Sequence, residues 1–470
     1  MMTLSQAAQA VDGLQLGEDV HFSSVCSDSR KLMQGDLFIA LQGEYFDGYG
    51  YIVQAIKSGA VAAMVNKESY EAKGIEEKYS SFPVLAVEDT RLALGQLAAY
   101  WRKQFAIPLV AITGSNGKTT VKEMLASILR VAAGKKSAVL ATTGNLNNDI
   151  GMPLMLLRLN AEHRYAVIEI GMNHPREIDT LTRIACPDVA LINNAGDAHL
   201  EGLGSVHAVA EAKGEIFTGL TEKGTAIINS DDVNAPLWRA LVGGNPLLEF
   251  GFGRQADVSG NWQANKSGMQ IEVQAPQGNF TAKLNMLGEH NVCNALAATT
   301  AAIALNIPLE TIVLGLERFT GVAGRLQRKT TMHGTMLIDD TYNANPASAR
   351  AAIRVLAQVS GKRVLVLGDM GELGEQAVML HTEIGNEARK AGIEKLYTLG
   401  KLSGNAAKAF GSGRHFDCIE DLQFALEKEL DRNSVVLVKG SRFMKMERVV
   451  QFLKTGTTDD VSRLKEKSCS

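Results

Sequence analysis

Cysteine is scarce in this chain, and an excess of either charge is absent. The five cysteines are Cys26, Cys186, Cys293, Cys418 and Cys469, and no two of them form a CxxC pair. An odd number of cysteines, far apart in the sequence, argues against a disulfide framework or a cysteine-ligated zinc site. It fits a protein of a reducing compartment. The 48 basic and 51 acidic residues leave a net charge of -3. No global field therefore attracts nucleic acid or anionic lipid, so small anionic ligands have to be held by local groups.

Long apolar runs are missing as well. No stretch approaches the roughly 18 uninterrupted apolar residues of a membrane-spanning helix. The N-terminal sequence lacks the basic start and apolar core of a secretory signal. We therefore expect a cytoplasmic, monomeric protein with no membrane span and no nucleic-acid partner.

The order of the apolar runs predicts an α/β fold with three domains, as expected for 470 residues of ordinary composition. Residues 1–85 combine short strand-like runs with a helical stretch and form a small N-terminal α/β module. Residues 86–320 alternate apolar runs with helices, which predicts a central P-loop-type, mostly parallel sheet. Between about 255 and 285 the alternation has period two, which predicts an antiparallel hairpin region. Residues 321–470 alternate runs and helices again, which predicts a Rossmann-like α/β domain.

A phosphate-binding loop is predicted where the apolar run Leu109–Thr113 meets the sequence GSNGKTT and a helical pattern. Backbone amides at a helix N-terminus can point at phosphates, and glycine tolerates their close approach. Lys118 would bring its charge to the outer phosphates, and the Thr119 hydroxyl would ligate magnesium. The loop is shorter than the usual Gly-x-x-x-x-Gly-Lys, because Ile112 stands where the first glycine belongs. The alternative is a glycine-rich turn with a surface lysine.

Two further residues occupy positions that a bound ion would explain. Glu169 lies inside the apolar run AVIEI, and a buried carboxylate is costly unless a cation or hydrogen bonds compensate for its lost hydration. A magnesium ion would compensate. His199 follows the run VALINN, at the end where parallel sheets bind ligands. The alternative for this histidine is a place in a surface loop.

Lys213 lies on the apolar stripe of a predicted helix. Five apolar residues fall within about 60° of it on a helical wheel of about 100° per residue. They are Val206, Val209, Ile216, Phe217 and Leu220. Burial disfavours the ammonium form, and a neutral amine can take up carbon dioxide as a carbamate, which is an anion that binds metal. The alternatives are a snorkelling lysine and a buried ion pair.

Several sequences occur in the order found in the Mur ligase family, and the chain resembles that family along nearly its whole length. They are TGSNGKTT, the glutamate in VIEIGMN, DAHLE followed by AEAKGEIF, GEHNVCNALAA, and GRLQ followed by DDTYNANP. The N-terminal SDSRKLMQGDLFIALQGEYFDGYGYI resembles the uridine-nucleotide module of the family's later members. The ordered set is far more specific than any single motif.

DDTYNANP and GDMGELG resemble the family's branch that adds D-alanyl-D-alanine to UDP-N-acetylmuramoyl-tripeptide. The resemblance implies an ATP-dependent, ADP-forming ligase of peptidoglycan synthesis that acts through an acyl phosphate. Residues 1–85 would bind the UDP-sugar and residues 86–320 would bind ATP, while residues 321–470 would bind the dipeptide and close on ATP. The DYAHTPD-like stretch expected of the diaminopimelate- or lysine-adding branch is not found. That branch, a folylpolyglutamate synthase-like ligase and a non-catalytic nucleotide-gated binding module are the alternatives.

The resemblance also implies roles for single residues around the nucleotide. Lys118, His199 and Lys213 would be catalytic. Two magnesium ions would be held, the first by Thr119 and Glu169 and the second by His199 and a carbamate on Lys213. Adenine is favoured because the guanine-specific Asn/Thr-Lys-x-Asp motif is absent. The residues expected to bind ATP are Gly114, Ser115, Asn116, Gly117, Lys118, Thr119, Thr120, Asn291, Asn294, Arg325 and Asp340, with His290 beside them.

Two further sets follow from the resemblance. The residues expected at the UDP-linked substrate are Ser27, Asp28, Ser29, Arg30, Thr142, Thr143, Asn145 and Asn147. The residues expected at the dipeptide are Tyr342, Asn343, Asn345, Lys439, Ser441 and Arg442. Polar turns are the alternative for the first set. For the second set, the alternatives are a helix beginning at Pro346 and the end of a strand at Lys439.

Overall fold

The structure is a computed structural model that describes residues 1–43, 46–75, 79–196, 200–265 and 268–456. Over these ranges it is an α/β protein with three large sheets in which most strand pairs are parallel. The predicted fold class is therefore confirmed. None of the helices in these ranges has the length and apolar character needed to cross a bilayer.

The first sheet has five strands in the described N-terminal residues. In order across the sheet they are Leu14–Leu16, Val84–Val87, Ala62–Asn66, Asp36–Ile39 and Ser24–Cys26, and only the first pair is antiparallel. Two small antiparallel pairs accompany it: Met2–Thr3 with His21–Phe22, and Gln42–Gly43 with Phe46–Asp47. The helices are Leu4–Val11, the 3-10 turn Gly48–Tyr51, Ile52–Lys57 and Lys67–Lys73.

The central sheet has nine described strands. In order they are Val139–Ala141, Tyr165–Glu169, Leu109–Thr113, Val189–Ile192, Thr225–Asn229, Leu247–Gly251, Val258–Asn265, Gly268–Ala275 and Gly278–Leu284. The first seven run parallel and the last three form antiparallel neighbours, which confirms the predicted hairpin region. The α-helices are Thr90–Arg102, Lys118–Ala133, Gly151–Leu156, Glu177–Ala185, Leu200–Leu203, Val206–Gly214, Ala235–Val242, Glu289–Ala304 and Leu309–Arg318. The 3-10 helices are Lys136–Ala138 and Glu215–Gly219.

The third sheet has six described strands. In order they are Gln327–Thr330, Met336–Asp340, Ser434–Lys439, Lys362–Gly368, Lys395–Leu399 and Arg414–Phe416. Only the edge strand Gln327–Thr330 is antiparallel to its neighbour. The helices are Pro346–Ala357, Ala377–Lys390, Gly404–Phe410, Ile419–Glu429 and Glu447–Thr455, with 3-10 turns Gly374–Gln376 and Arg442–Met444.

The strand Leu109–Thr113 is buried on both faces, which explains its unbroken apolar sequence. Leu109 and Ala111 belong to one core cluster, and Val110 and Ile112 belong to the cluster on the opposite face. Helix Lys118–Ala133 covers that second face. Its buried apolar residues recur at helical spacing and include Val121, Met124, Leu125, Ile128 and Leu129. The loop between strand and helix is thereby fixed at the carboxyl end of the central sheet.

Candidate active site

The loop Gly114–Gly117 has the close packing of a phosphate-binding turn. Gly117 has a φ of +82°, and a Cβ there would lie 2.3 Å from Asn294 Oδ1 and 2.5 Å from Asn193 Nδ2. A side chain at this position would therefore displace both amides. The α-helix begins at Lys118, so its free N-terminal amides face the space above the loop.

Asparagine side chains hold the backbone of this loop. The Asn116 amide donates to Asn194 Oδ1 at 2.8 Å. The Asn116 carbonyl accepts from Asn193 Nδ2 at 2.9 Å and from Asn194 Nδ2 at 3.0 Å. Asn193 and Asn194 end the run VALINN, and the sequence interpretation missed both. The only sequence signal was a pair of polar residues at the carboxyl end of a parallel strand.

The network extends to the helix Glu289–Ala304. Asn193 Nδ2 donates to Asn294 Oδ1 at 2.9 Å, and Asn294 Nδ2 donates to Asn291 Oδ1 at 3.1 Å. Asn291 in turn donates to the Leu287 carbonyl at 2.7 Å. The amides of Asn291 and Asn294 are therefore used within the protein, and both residues are buried. Their roles at the adenine ring remain predictions.

The remaining loop residues are also packed. Ser115 Oγ accepts from the Gly196 amide at 3.0 Å, and the Ser115 amide donates to the Asn194 carbonyl at 3.0 Å. Thr120 is buried at 3% exposure. These contacts rigidify the loop and leave the helix N-terminus to face a ligand.

Thr119 and Glu169 lie together at the ends of the helix and the neighbouring strand. Thr119 Oγ1 donates to Glu169 Oε2 at 3.1 Å, and Asn147 Nδ2 donates to Glu169 Oε1 at 2.9 Å. The Glu169 amide donates to Thr142 Oγ1 at 2.9 Å. Glu169 is 3% exposed, as predicted from its place in the apolar run. A hydroxyl and a carboxylate oxygen are hard donors of the kind that magnesium prefers.

Lys118 lies half-buried in the same cluster of charges. Its Nζ donates a hydrogen bond to the Gly114 carbonyl. Burial lowers the pKa of Lys118, the negative charges of Glu169 and Glu372 oppose that shift, and the positive charge of Arg325 adds to it. Carboxylates of the central sheet and of the loop after Gly368 therefore both act on the charge of this lysine.

Lys213 is buried at 1% exposure, which confirms its predicted place in the core. No hydrogen bond or ion pair joins it to any residue in the described part of the chain. Burial lowers the pKa of Lys213 well below its ordinary value, and the charge of Lys118 lowers it further. One detail of the prediction was wrong, because the α-helix ends at Gly214 and a 3-10 helix follows over Glu215–Gly219. A wheel of about 100° per residue does not hold beyond that point.

His199 lies outside the described residues, so its predicted roles in catalysis and in the second metal site stay predictions. In the ranges that the structure does describe, no three His, Cys, Asp or Glu side chains are grouped so that they could hold a metal ion. Thr119 with the single carboxylate of Glu169 still fits magnesium, which commonly takes one or two protein carboxylates together with phosphate oxygens and water.

Arg325 approaches the loop from beside the third sheet. Its Nη2 donates to Thr119 Oγ1 at 3.1 Å, and its guanidinium lies 4.3 Å from the centre of the Tyr342 ring. Its Nε is buried and has no hydrogen-bond partner. A guanidinium with an unused N–H donor beside a phosphate loop is suited to bind an anion.

Asp340 and Lys439 form a buried ion pair at the carboxyl ends of adjacent strands. Lys439 Nζ donates to Asp340 Oδ2 at 2.7 Å and to the Asn343 carbonyl at 2.9 Å. Burial raises the pKa of Asp340, although the charges of Lys439 and Arg325 oppose that shift. Asp340 also accepts from the Leu326 amide at 3.2 Å. Its carboxylate therefore anchors the segment that carries Arg325.

Asn345 and Ser441 of the predicted dipeptide set hold neighbouring parts of the fold in place. Asn345 caps the helix Pro346–Ala357, where its Oδ1 accepts from the Ser348 amide at 2.8 Å. Its Nδ2 donates to Asn116 Oδ1 at 3.0 Å, which links this helix to the phosphate loop. Ser441 Oγ donates to the Ala344 carbonyl at 3.0 Å.

Asn343 and Arg442 are the exposed members of that set. Asn343 is exposed and turns its Oδ1 to the Ala344 amide at 2.9 Å. Arg442 is exposed and pairs with Glu447 at 3.1 Å. Helix Pro346–Ala357 does begin at Pro346 and the strand does end at Lys439, so those structural alternatives describe the local fold correctly. The predicted dipeptide contacts themselves stay predictions.

The predicted uridine-nucleotide residues follow the strand Ser24–Cys26. Asp28 accepts from Arg30 Nε at 2.8 Å and from Arg30 Nη2 at 2.9 Å. Hydrogen bonds from Arg30 lower the pKa of Asp28 to about 2. Ser27 and Ser29 are partly exposed in the same turn. Both serine side chains remain accessible to a ligand.

The predicted residues of the sugar-peptide channel divide into two groups. Thr143 and Asn145 are exposed, whereas Thr142 is 1% exposed and uses its hydroxyl to hold the Glu169 amide. Lys122, buried at 2%, donates to the Thr142 carbonyl at 2.6 Å. Thr142 and Asn147 thus position Glu169 in this structure.

The residues 21–102 match the family model described as Mur ligase family, catalytic domain. Residues 112–302 match the Mur ligase middle domain, and residues 324–442 match the Mur ligase, glutamate ligase domain. A curated relative from Haemophilus influenzae, UDP-N-acetylmuramoyl-tripeptide--D-alanyl-D-alanine ligase, is 42% identical over 456 residues, which are 96% of this chain and 97% of the relative. The chain belongs to the Mur ligase family.

Two solved structures of Mur ligases are similar over most of their length. MurF from Acinetobacter baumannii aligns with a TM-score of 0.88 at 37% identity. The alignment covers 96% of this chain and 98% of the MurF chain. MurF from Thermotoga maritima in complex with ADP has a TM-score of 0.80 at 29% identity, with 93% and 98% covered. The family predicted from the ordered motifs is confirmed.

Proposed function

We propose that this Mur ligase joins D-alanyl-D-alanine to UDP-N-acetylmuramoyl-tripeptide, with ATP converted to ADP and phosphate, and that it works as a monomer in the cytoplasm. The product is UDP-N-acetylmuramoyl-pentapeptide, a precursor of peptidoglycan. The reaction would therefore contribute to cell shape and cell division. One observation carries the proposal: at one loop, the helix start with Lys118 and Thr119 and the strand end with Glu169 meet Arg325, which precedes the third sheet.

The residues at this loop fit a nucleotide and its magnesium. The glycine turn and helix N-terminus would hold the phosphates, and Thr119 with Glu169 would hold the first ion. Bound magnesium would neutralise charge on the phosphates during transfer. Lys118 and Arg325 place two more cationic groups beside the same phosphates. Asn291, Asn294 and Asp340 complete the proposed nucleotide site.

The reaction needs this concentration of positive charge because two anions have to meet. The terminal carboxylate of the peptide attacks the γ-phosphoryl group and ADP leaves, which gives an acyl phosphate. The amine of D-alanyl-D-alanine then attacks the acyl carbon, and phosphate leaves from the tetrahedral intermediate. Lys118 and Arg325 lower the repulsion that the attacking carboxylate meets.

Lys213 is the proposed site of a carbamate. Its buried position and the nearby charge of Lys118 both favour a neutral amine. The amine nitrogen attacks carbon dioxide and loses a proton, which leaves a carbamate anion in place of a cation. This anion, with His199, would hold a second magnesium ion.

The two remaining substrates are assigned to the other sheets. Residues 1–85 would bind the uridine diphosphate at Ser27–Arg30, and Thr143 with Asn145 would line the channel for the sugar and peptide. Residues 321–470 would bind the dipeptide near Tyr342, Asn343 and Lys439. The buried hydroxyl of Thr142 and the amide of Asn147 would act indirectly, through Glu169.

An ADP-release assay tests the proposed reaction against its alternatives. UDP-muramoyl-tripeptide would be offered with D-alanyl-D-alanine, D-alanine or diaminopimelate as the amine, and we expect turnover with the dipeptide. Turnover with diaminopimelate alone would contradict the choice of branch. Full activity after deletion of residues 1–85 would favour a folylpolyglutamate synthase-like ligase. ATP binding without substrate-dependent phosphate release would favour a binding module.

A further inference from the structure

Lys122 is a buried lysine with no role of its own in the proposed reaction. It is 2% exposed and lies on helix Lys118–Ala133, where its buried neighbours Val121, Met124 and Leu125 are apolar. Burial of an ammonium group is costly unless acceptors replace the water that it loses. A charged residue at this position therefore depends on the partners that the fold brings to it.

Two acceptors hold the ammonium group. Lys122 Nζ donates to Glu123 Oε1 at 2.6 Å and to the Thr142 carbonyl at 2.6 Å. The side chain of Glu123 is 29% exposed, and its carboxylate balances the charge of the lysine. Because the pair as a whole is neutral, it adds little to the positive charge around the phosphates. Its distinctive contribution is a hydrogen bond from the helix to the loop that begins at Thr142.

That loop, residues 142–147, is attached to the end of the strand that carries Glu169. Thr142 Oγ1 accepts from the Glu169 amide at 2.9 Å, and Asn147 Nδ2 donates to Glu169 Oε1 at 2.9 Å. The Asn147 carbonyl accepts from the Gly171 amide at 2.8 Å, and a Cβ on Gly171 would lie 3.1 Å from the Asn147 side chain. The first and last residues of the loop therefore hold both the backbone and the carboxylate of Glu169.

The helix and the loop meet at the proposed magnesium ligands. Lys122 follows Thr119 by three residues, so the two side chains lie on the same side of the helix, about one turn apart. Thr119 Oγ1 donates to Glu169 Oε2 at 3.1 Å. The helix therefore contacts Glu169 directly through Thr119 and indirectly through Lys122 and Thr142.

We propose that Lys122 is a positioning residue, which places Glu169 for magnesium by holding the loop 142–147 against the helix. Hydrogen-bond partners that fix a metal-binding carboxylate control how well it binds the ion, although they do not touch the ion themselves. Lys122 acts in this way through Thr142. The inference rests on the proposed function, because Glu169 is the magnesium ligand proposed there.

The test compares Lys122→Met with Ser127→Ala. Methionine keeps the apolar stem and loses both hydrogen bonds, and the partly exposed Glu123 gains water in their place, so we expect this variant to fold. Ser127→Ala removes a hydrogen bond of 2.7 Å from the same helix to the Gly315 carbonyl, away from the loop 142–147. It is the control for a lost structural contact.

The magnesium dependence of ADP release should separate these two variants. We expect Lys122→Met to need about tenfold more magnesium for half of its maximal rate, because Glu169 is no longer held in place. At saturating magnesium its kcat and its KM for ATP should approach the parent's values. Ser127→Ala should keep the parent's magnesium requirement, even where both variants melt at a lower temperature.

Binding of ADP, measured by titration calorimetry, examines the same site without turnover. Without magnesium, the parent and Lys122→Met should bind ADP equally. At low magnesium Lys122→Met should bind ADP more weakly than the parent does, and saturating magnesium should remove the difference.

Thr142→Val tests the same link at its other end. This variant keeps the shape of the side chain and loses the hydroxyl that accepts from the Glu169 amide. It should also need more magnesium, and it decides the matter if Lys122→Met does not fold. The double variant should need no more magnesium than the more affected single variant, because two changes in one chain of contacts are not additive.

Four results would overturn the proposal. A parent-like magnesium requirement in Lys122→Met, with a lower melting temperature, would make the lysine purely structural. Activity that no magnesium concentration restores would mean that Lys122 acts on the reacting groups. Additive effects in the double variant, or a parent-like requirement in Thr142→Val, would break the link to Glu169. A parent enzyme that releases no ADP with both substrates would instead contradict the proposed function, and the ADP titrations would still test Lys122.

Discussion

Arg325 donates a hydrogen bond to the Thr119 hydroxyl at 3.1 Å, although the two residues are 206 positions apart in the sequence. The same hydroxyl donates to Glu169 at 3.1 Å. One contact therefore joins the segment before the third sheet to the proposed magnesium ligands of the central sheet. It makes the complete site dependent on the approach of the two domains.

Substitution of Arg325 should impair nucleotide use. Arg325→Ala removes the contact with Thr119 and the packing on Tyr342, so we expect the KM for ATP to rise about tenfold or more and kcat to fall. Arg325→Lys should recover little, because an ammonium group cannot reproduce the planar fork. Steady-state ADP release measures both. Arg318→Ala, on an exposed helix end, is the control, and equal kinetics in the two alanine variants would contradict this role.

The amide of Asn345 allows helix capping and domain contact to be separated. Asn345→Ser keeps an oxygen that can cap the helix but loses the donor to Asn116, whereas Asn345→Ala loses both. We expect the alanine variant alone to lose about 1 kcal/mol of stability. Both variants should raise the KM for ATP equally. Thermal melting and ATP titration check the two effects, and a serine variant with the parent's KM would show that the contact with Asn116 is unimportant.

The lowered pKa of His290 should make the stability of the protein depend on pH. Burial, aided by the charges of Lys439 and Arg354, lowers the pKa of His290 from 6.5 to about 4. Between these values the unfolded chain binds a proton that the folded chain does not. The free energy of unfolding should therefore fall as the pH falls through this window, by up to about 1.4 kcal/mol per pH unit from this residue.

Denaturant titrations at several pH values measure that slope. His290→Gln should flatten it, because the substituted side chain does not titrate. His333→Gln changes an exposed histidine and should keep the parent's slope. An identical slope in all three proteins would contradict the assignment to His290.

A carbamate on Lys213 should make activity depend on dissolved carbon dioxide. Enzyme depleted of bicarbonate should lose turnover and regain it when bicarbonate is added. Lys213→Ala should be inactive under both conditions, while Lys223→Ala, on an exposed lysine, should respond as the parent does. If neither the parent nor Lys213→Ala responds to bicarbonate, Lys213 is unmodified.

Much of the fold was predictable because buried parallel strands have unbroken apolar sequences. The apolar run Leu109–Thr113, before the predicted phosphate loop, is a strand with the same bounds in the structure. Val139–Ala141 was missed because three residues give too little pattern to separate a strand from a turn. Leu247–Gly251 was missed because most of it is only partly buried, so its sequence is less apolar.

Site residues could be predicted where a charged residue stands in an apolar stretch of sequence. Glu169 and Lys213 stood out because charged residues interrupted apolar patterns, and both are buried. Asn193 gave no such signal, because an asparagine after a strand also fits an ordinary turn. Its partner Asn294 lies 101 positions away, and only the folded chain brings the two amides together.

The central claim is that magnesium and Lys118 together make the approach of a carboxylate to the γ-phosphoryl group possible. The most direct test measures acyl-phosphate formation in a single turnover, with hydroxylamine added to trap the acyl phosphate as a hydroxamate. The parent, Glu169→Gln and Lys118→Met are compared over a range of magnesium concentrations. We predict that Glu169→Gln needs more magnesium to approach the parent's rate, and that no magnesium concentration restores Lys118→Met. Parent rates and parent magnesium requirements in both variants would contradict the account.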